Sequence, residues 1–292
     1  MNYLHILNGD GTAHPFRQTD LPGETLVWWE MLSEGWVPAT DDLAGFWRQR
    51  GDFLAEHYGL DRKEQQDWVE DTANKLIDFR QFDEITLWFE FDLFCQINLL
   101  YLLNWFAGQD LGGLRLTLVS PGSHLNLPNF KGLGELSPVQ LAALWPGRLT
   151  LTKQDLKIGQ RAWRAYVSPL SETLPGLLLN EDFGQLVHLR KALQAHLRRF
   201  PVPENGLGAI EQFWLNEIRT GATDSVAVMQ RFWNENPGYG LGDSQLLRTL
   251  NELEQAGLVR QNGSLRLTDR GGVGGAGKLP ELCTASPLVG WR

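Results

Sequence analysis

Short apolar runs alternate with longer amphipathic segments along the first 120 residues of the chain. Apolar runs bounded by charged or turn-forming residues predict buried strands, whereas apolar residues three and four positions apart predict helices. The predicted strands cover residues 3–7, 24–29, 85–89 and 114–119, and the predicted helices cover residues 41–58, 62–79 and 93–106. Because strands alternate with helices, we expect an α/β domain over residues 1–120 with a Rossmann-like, mostly parallel sheet.

The strand-like runs stop after Val119, and helical patterns follow. Residues 120–134 have the composition of a loop, and helices are predicted over residues 137–145, 155–167 and 183–200. Ser137 is the expected N-cap of the first of these helices, with Pro138 at its first position. The patterns predict a helical extension over residues 121–200.

The segment FPVPENG at residues 200–206 is typical of a linker, because it holds two prolines and an Asn-Gly pair without periodicity. Three helical patterns follow at about residues 207–219, 225–235 and 244–255, and a hairpin pattern surrounds the turn of Asn262 and Gly263. This order predicts a winged-helix-like domain over residues 206–270. Residues 271–292 are glycine-rich and aperiodic, which predicts an irregular tail.

Charge and composition narrow the class of protein. With 42% hydrophobic and 21% charged residues, the 292-residue chain has the composition of a soluble protein of about two domains. The net charge of −9 argues against broad binding to nucleic acid or to an anionic membrane. Residues 242–270 contain four arginines and four acidic residues, so the net charge of this segment is zero. That balance favours a protein-packing or regulatory module over a DNA-binding one.

Cysteine usage and the N-terminus indicate the compartment. The two cysteines, Cys95 and Cys283, give neither a disulfide framework nor zinc-ligand spacing. The N-terminus lacks the basic and apolar regions of an export signal, and polar residues interrupt the apolar stretch at residues 87–106. We therefore expect a cytoplasmic protein of bacterial type.

Carboxylates follow each of the first three predicted strands: Asp10 after the first, Glu30 after the second, and Glu90 and Asp92 after the third. The carboxyl ends of parallel strands meet at one edge of a sheet, where open α/β sheets bind ligands. The pattern predicts one acidic site, with these four residues as catalytic candidates and Asp10, Glu90 and Asp92 as ligands of Mg²⁺ or Mn²⁺. Such a metal would activate water or hold a phosphate.

Each acid also has a structural interpretation. Asp92 is placed to cap the following helix, where a carboxylate complements the helix dipole. Glu90 has the alternative of a solvated position, and Asp10 that of an ordinary turn residue in NGDGT. Glu30 has the alternative of an ion pair with an arginine.

Candidate ligand-binding residues lie near the acids. Asn8, Gly9 and Gly11 belong to the segment NGDGT, in which glycine lets the backbone approach an anion closely. Arg50 lies on the helix predicted at residues 41–58 and could clamp a phosphate, unless it is a solvated helix residue. His124 lies in the loop SPGSHLNLPN and could act as acid, base or ligand, although most loop histidines are surface residues.

Three other polar residues are weaker candidates. His5 lies inside the first strand and is expected to be a core histidine with its hydrogen bonds satisfied. Arg48 could join Arg50 at a phosphate, or be solvated. Cys95 lies near the start of its helix, where the dipole lowers a thiol pKa, but an apolar face is the favoured interpretation.

Several segments resemble one bacterial family. LHILNGDGTA, LVWWEMLSEGWVP, LWFEFDLFCQINLL and GLGELSP resemble, in order and spacing, the family called domain of unknown function 1835, over about residues 4–200. A winged-helix-like segment frequently accompanies that family. The resemblance implies a sheet-based fold and no particular chemistry.

This chain departs from the family pattern at three positions. The resemblance implies a charged residue at Trp29, a histidine at Phe91 and an aspartate at Cys95, so the site here is weaker in metal or acid–base groups. Relatives continue past the hairpin with a tryptophan-containing segment. The tail GGVGGAGKLPEL is consistent with a shifted reading frame, a hypothesis that the other frames of the nucleotide sequence would test.

Taken together, the patterns favour a protein that binds a small anionic or nucleotide-like ligand at the carboxyl edge of the sheet. Metal-assisted phosphoester hydrolysis is the reaction class that matches an all-carboxylate site. The alternative is a ligand-sensing regulator that uses the winged helix to contact DNA or a protein partner. A third interpretation makes the carboxylates helix caps and solvated turns.

Overall fold

The computed structural model describes residues 1–40, 42–122 and 130–273 of the chain. A first compact unit ends at Ala192, and a second begins at Leu193, inside a helix. The sheet and all four candidate acids lie in the first unit. Within the described residues we find no helix with both the length and the apolar character needed to cross a membrane.

A five-stranded sheet forms the centre of the first unit. Its strands are β1 (Tyr3–Asn8), β2 (Glu24–Trp28), β3 (Glu84–Trp88), β4 (Arg115–Val119) and β5 (Leu149–Thr150). The order across the sheet is β2-β1-β3-β4-β5, with the first four strands parallel and β5 antiparallel to β4. The predicted α/β class and mostly parallel sheet are confirmed. Strand order reverses between β1 and β3, the place where open sheets of this class bind ligands.

Eight helices follow or separate these strands in the first part of the described chain. They are α1 (Gly9–Phe16), α2 (Leu43–Tyr58), α3 (Arg62–Ile77), α4 (Leu93–Ala107), α5 (Pro138–Leu144), α6 (Lys153–Tyr166), α7 (Thr173–Asn180) and α8 (Leu189–Arg198). A capping box between Ser137 and Gln140 starts α5, which confirms Ser137 as an N-cap. Helices α5 to α7 belong to the same compact unit as the sheet.

The structure differs from the sequence prediction in four local elements of the first unit, one of which is α7, a helix that was not predicted. The strands do not stop at Val119, because β5 pairs with β4; with two exposed residues, β5 gives no periodic signal. The segment predicted as a turn at Gly9–Gly11 begins α1 instead, and Gly9 makes the bend with a left-handed φ of 78°. The helix predicted from residue 183 starts only at Leu189, after a turn in which Gly184 has a φ of 53°.

Aromatic side chains pack α2 and α3 against β2 and α4. The Trp28 ring lies 5.6 Å from that of Trp68 and 5.4 Å from that of Tyr101, and Tyr101 stacks on Phe46 at 5.3 Å. Trp47 joins the same cluster at 5.4 Å from Tyr101. Several of the tryptophans are therefore packing residues, and they fix two helices beside the carboxyl end of β2.

The second unit contains three helices followed by a two-stranded antiparallel hairpin. After α8 these elements are α9 (Ala209–Arg219), α10 (Ser225–Glu235), α11 (Asp243–Gln255), β6 (Val259–Gln261), β7 (Leu265–Leu267) and α12 (Asp269–Val273). The element order is the predicted one up to β7. The short helix α12 extends past Gly271, where the tail was expected to be irregular, and residues 274–292 lie outside the described part of the chain.

Candidate functional site

Asp92 joins the end of β3 to the start of α4. Its Oδ1 atom accepts a hydrogen bond of 2.9 Å from the backbone N–H of Cys95, and its backbone is extended, as an N-cap requires. The capping interpretation of Asp92 is therefore confirmed. Because α4 carries no polar face, its start is fixed by this cap and by the strand that precedes it.

Glu90, Asp92 and Cys95 form a buried cluster at this junction. Their side chains are almost fully enclosed, with residue exposures of 7%, 4% and 3%. The thiol of Cys95 lies 2.7 Å from Glu90 Oε2 and donates to it. One ligand atom from each of the three side chains lies within 4.8 Å of the others. The cluster is thus a compact group of two carboxyl groups and a thiol that solvent barely reaches.

The loop around Gly132 closes over Glu90. The backbone N–H of Leu133 donates to Glu90 Oε1, and the Gln96 side chain donates to the Glu90 carbonyl at 2.6 Å. A Cβ atom on Gly132 would lie 2.9 Å from Glu90 Oε1, so a side chain at this position would require the Glu90 carboxyl group to shift. Both carboxyl oxygens of Glu90 are therefore engaged by the protein itself.

Two asparagines extend the cluster to β1 and β2. Asn98 donates to the Glu30 carbonyl at 2.7 Å and to Asn8 Oδ1 at 2.9 Å, and Asn8 donates to Cys95 Sγ at 3.0 Å. Sequence analysis considered Asn98 only as a polar interruption of an apolar helix. That interruption was the available signal, because a buried amide needs partners. A continuous hydrogen-bond chain, the strand-end network, thus connects the segments at the carboxyl ends of β1, β2 and β3.

Burial controls the protonation of the strand-end network. Burial, reinforced by the negative charge of Asp92, raises the pKa of Glu90 to about 7. Burial also raises the pKa of Asp92, and it raises the pKa of the Cys95 thiol well above the ordinary value. Cys95 therefore remains a thiol at neutral pH. Its favourable place near a helix start does not make it a reactive thiolate.

Glu84, at the opposite end of β3, is a buried glutamate that forms ion pairs with arginines, in contrast to Glu90. Burial alone would raise its pKa, but hydrogen bonds from Arg148, Arg115 and Thr117 lower the pKa to about 2. No arginine takes that position beside Glu90 within the described residues. Of the two buried glutamates, Glu84 at the start of β3 is therefore charged, whereas Glu90, just past the end of β3, is readily protonated.

The predicted magnesium or manganese site does not form as expected. Asp10 lies exposed in the first turn of α1 and is outside the compact group, which holds Cys95 instead. Mg²⁺ and Mn²⁺ prefer oxygen ligands and bound water, whereas here a thiol is the third group and both Glu90 oxygens are occupied. The donor set does not fit either of these ions.

Glu30 forms a buried ion pair with Arg50. The Arg50 guanidinium donates to Glu30 Oε1 from Nε at 3.2 Å and from Nη2 at 2.8 Å, and both side chains are fully buried. Arg50 also donates to the carbonyls of Met31 at 2.9 Å, Glu34 at 2.8 Å and Trp36 at 3.0 Å. These bonds use all five guanidinium N–H groups, so Arg50 has no donor for a phosphate. The ion-pair alternative for Glu30 is confirmed.

The remaining candidates are placed as follows. Both polar atoms of the Asn8 side chain are used inside the strand-end network, and Gly9 supplies the bend into α1. Gly11 is exposed, and a Cβ on Gly134 would lie 2.9 Å from its carbonyl oxygen.

His5 is buried: its Nε2 lies 3.1 Å from the Pro22 carbonyl, and its Nδ1 lies 3.2 Å from the Trp88 indole N–H. His5 is therefore the satisfied core histidine that the sequence predicted, and His124 lies outside the described residues.

A groove lies between α2 and α3. It has a volume of about 450 Å³, within the range of small-molecule sites. Its lining includes Trp47, Arg48, Asp52 and Arg62, together with the amide side chains of α3. Of these residues, sequence analysis considered only Arg48 for ligand binding. The groove depends on how two helices pack, which no single helix pattern reveals.

Comparison with models of known protein families finds no match, and comparison with curated proteins finds none either. The resemblance to domain of unknown function 1835 therefore stays a prediction.

Proposed function

We propose that this protein binds a small anionic, nucleotide-like ligand in the α2–α3 groove. The observation that carries this proposal is Arg48, an exposed arginine that lines the groove and forms no ion pair with any described residue. The acids of the groove have partners: Asp52 pairs with Arg62 at 3.0 Å, and Glu70 accepts from Gln66 at 3.1 Å. Arg48 is thus the cation in the groove that is available for a phosphate or carboxylate.

The other groove residues suit a flat polar ring. Trp47 is half-buried and offers aromatic surface, while Gln65 and Gln66 offer amide groups for hydrogen bonds with a heterocycle. A ring on an aromatic wall with one anionic group near an arginine is the arrangement found in many nucleotide sites. These features support a ligand of that class.

The carboxyl edge of β1 and β3 is a poorer place for the same ligand. The Glu90–Asp92 pair is buried and acidic, so a phosphate there would meet repulsion and would have to displace existing hydrogen bonds. Arg50, which was predicted to bind an anion at this edge, is fully engaged. We therefore do not propose phosphoester hydrolysis at these acids.

Replacing Arg48 with alanine tests the groove. We expect AMP to bind the wild-type chain in isothermal titration calorimetry and Arg48→Ala to weaken that binding about tenfold or more, because a charge-assisted contact to phosphate is lost. Adenosine, which lacks the phosphate, should bind both proteins with equal affinity. Arg164→Ala removes an exposed arginine on α6, outside the groove, and should leave AMP binding unchanged. Equal AMP affinity in Arg48→Ala and wild type would refute the proposal.

The hairpin of the second unit supports a second candidate function, regulation through an anionic partner such as DNA. Arg260 on β6 lies directly opposite Arg266 on β7, and both are exposed. Like charges facing each other across a strand pair are destabilising, so a phosphate backbone between or beside them would stabilise the hairpin. The proposed winged-helix architecture would use its hairpin in this way.

Fluorescence anisotropy with a DNA duplex tests the second candidate. If the hairpin contacts phosphates, the full chain should bind more weakly as salt rises from about 50 to 200 mM, and Arg260→Gln with Arg266→Gln should reduce the salt dependence by about two counterions. An unchanged salt slope in the double variant would exclude this function. Arg17→Gln, an exposed change on the first unit, is the matched control.

A further inference from the structure

The chain contains three Asn-Gly pairs, at residues 8–9, 205–206 and 262–263. In such a pair the backbone nitrogen of the glycine can attack the amide carbon of the asparagine side chain, because glycine has no Cβ to hinder the approach. The attack needs a side-chain amide that is free to turn and a backbone N–H that makes no hydrogen bond. The fold meets these two conditions very differently at the three pairs.

Hydrogen bonds hold two of the pairs in place. Asn8 is buried, and both polar atoms of its side chain belong to the strand-end network. Asn205 accepts a hydrogen bond of 3.0 Å from the backbone N–H of Leu207. The N–H of Gly206 donates to the Val202 carbonyl at 2.8 Å, so the attacking nitrogen of this pair is also engaged. Each of these pairs has to break hydrogen bonds before it can react.

The third pair, Asn262 and Gly263, lies in the exposed turn of the β6–β7 hairpin. Within the described residues the Asn262 side chain forms no hydrogen bond, and the backbone N–H of Gly263 donates none. A Cβ placed on Gly263 would have no atom within 4 Å, so the space beside the pair is open. Of the three pairs, this one meets both conditions.

We propose that Asn262 is a site of spontaneous deamidation that changes the charge of the hairpin. The Gly263 nitrogen, after its proton passes to water, bonds to the side-chain amide carbon of Asn262. The bond from that carbon to the amide nitrogen breaks, and ammonia leaves after taking a proton back from water. Water then opens the cyclic imide. Addition at the side-chain carbonyl gives aspartate and addition at the backbone carbonyl gives isoaspartate, so both products carry a carboxylate.

The new carboxylate is close in sequence to two arginines. Residues 259–267 contain Arg260 and Arg266 and no acid, so deamidation lowers the net charge of the hairpin from +2 to +1. The two arginines lie directly opposite each other, where like charges are destabilising. Deamidation therefore reduces a repulsion that the unmodified hairpin contains. The reaction needs only water and depends on neither of the proposed functions.

Peptide mapping of the full chain during incubation at neutral pH tests the proposal. Trypsin cleaves after Arg260 and Arg266, so residues 261–266 form a separate peptide with one asparagine. We expect its aspartate and isoaspartate forms to appear at least about tenfold faster than acid forms at Asn8 or Asn205, because breaking the hydrogen bonds at those pairs adds to the barrier. In the chain unfolded by urea the three pairs should react at similar rates, which separates the effect of the fold from that of the sequence.

Two variants complete the experiment through ion-exchange chromatography. Aged wild type should develop a more acidic species that elutes with Asn262→Asp. Asn262→Gln should not develop that species, because a glutamine side chain closes the corresponding ring far more slowly. Equal rates at the three pairs in the folded chain, or no acid at Asn262 after the unfolded chain has converted, would overturn the proposal.

Discussion

Arg50→Ala should lower the free energy of unfolding by about 3–5 kcal/mol, measured by urea denaturation at pH 7. The substitution leaves the buried carboxylate of Glu30 without its cation and removes the donors to the Met31, Glu34 and Trp36 carbonyls. The segment after β2 would lose three hydrogen bonds to its backbone carbonyls. Arg48→Ala, two residues away on the same helix but exposed, is the matched control and should change stability by less than about 0.5 kcal/mol.

A double variant separates the ion pair from the backbone contacts. Replacing a buried ion pair by apolar residues is often neutral when the pair is all that is lost. Here Glu30→Leu with Arg50→Met should remain clearly destabilised, because the carbonyls of Met31, Glu34 and Trp36 would still lose the hydrogen bonds from the guanidinium. Recovery of wild-type stability in the double variant would show that Arg50 acts only as the counter-ion of Glu30.

Glu90→Gln should change how stability depends on pH. The folded-state pKa of Glu90 is raised from 4.5 to about 7 by burial and by Asp92, so the folded protein binds this proton more tightly than the unfolded chain does. The contribution of Glu90 to stability is therefore greatest below pH 4.5, falls as pH rises to about 7, and changes little above that. The slope of that loss is at most about 1.4 kcal/mol per pH unit. Removing the titrating group removes the slope.

The difference in the free energy of unfolding between Glu90→Gln and wild type isolates the contribution of Glu90 from those of other titrating groups. Burial lowers the pKa of His5 and of His196, so these groups stabilise the fold less as pH falls below 6.5 and oppose the Glu90 trend in the wild type. The stability of Glu90→Gln minus that of wild type should therefore rise between pH 4.5 and 7. Glu24→Gln, at an exposed position on β2, should show a flat difference. A flat difference for Glu90→Gln would contradict the account, because it would mean that folding does not raise the pKa of Glu90.

The order of β1 to β4 and of the long helices α2 to α4 follows from local pattern, because apolar periodicity reports which face of each segment is buried. The cap at Asp92 was also predictable, since it depends on residues three positions apart. The strand-end network was not. Asn8 and Asn98 bond across 90 positions of sequence, and their partnership depends on how β1 meets α4.

The roles of charged residues were also not predictable from local pattern, because they depend on partners distant in the sequence. Glu30 and Arg50 read equally well as ligand-binding groups or as an internal ion pair, and only the fold of the segment between them decides for the pair. Asp10 and Glu90 both follow parallel strands, yet Asp10 enters the exposed first turn of a helix while Glu90 is covered by the loop of Gly132. Strand order placed these acids at one edge without determining which way they face.

A crystal structure of the full chain grown with AMP tests the central claim most directly, that ligand binding belongs to the α2–α3 groove and not to the buried strand-end network. We expect the phosphate within hydrogen-bond distance of the Arg48 guanidinium, the adenine against Trp47, and the Glu90–Cys95 contact unchanged. Density for AMP beside Glu90 and Asp92, with the loop of Gly132 displaced, would contradict the account.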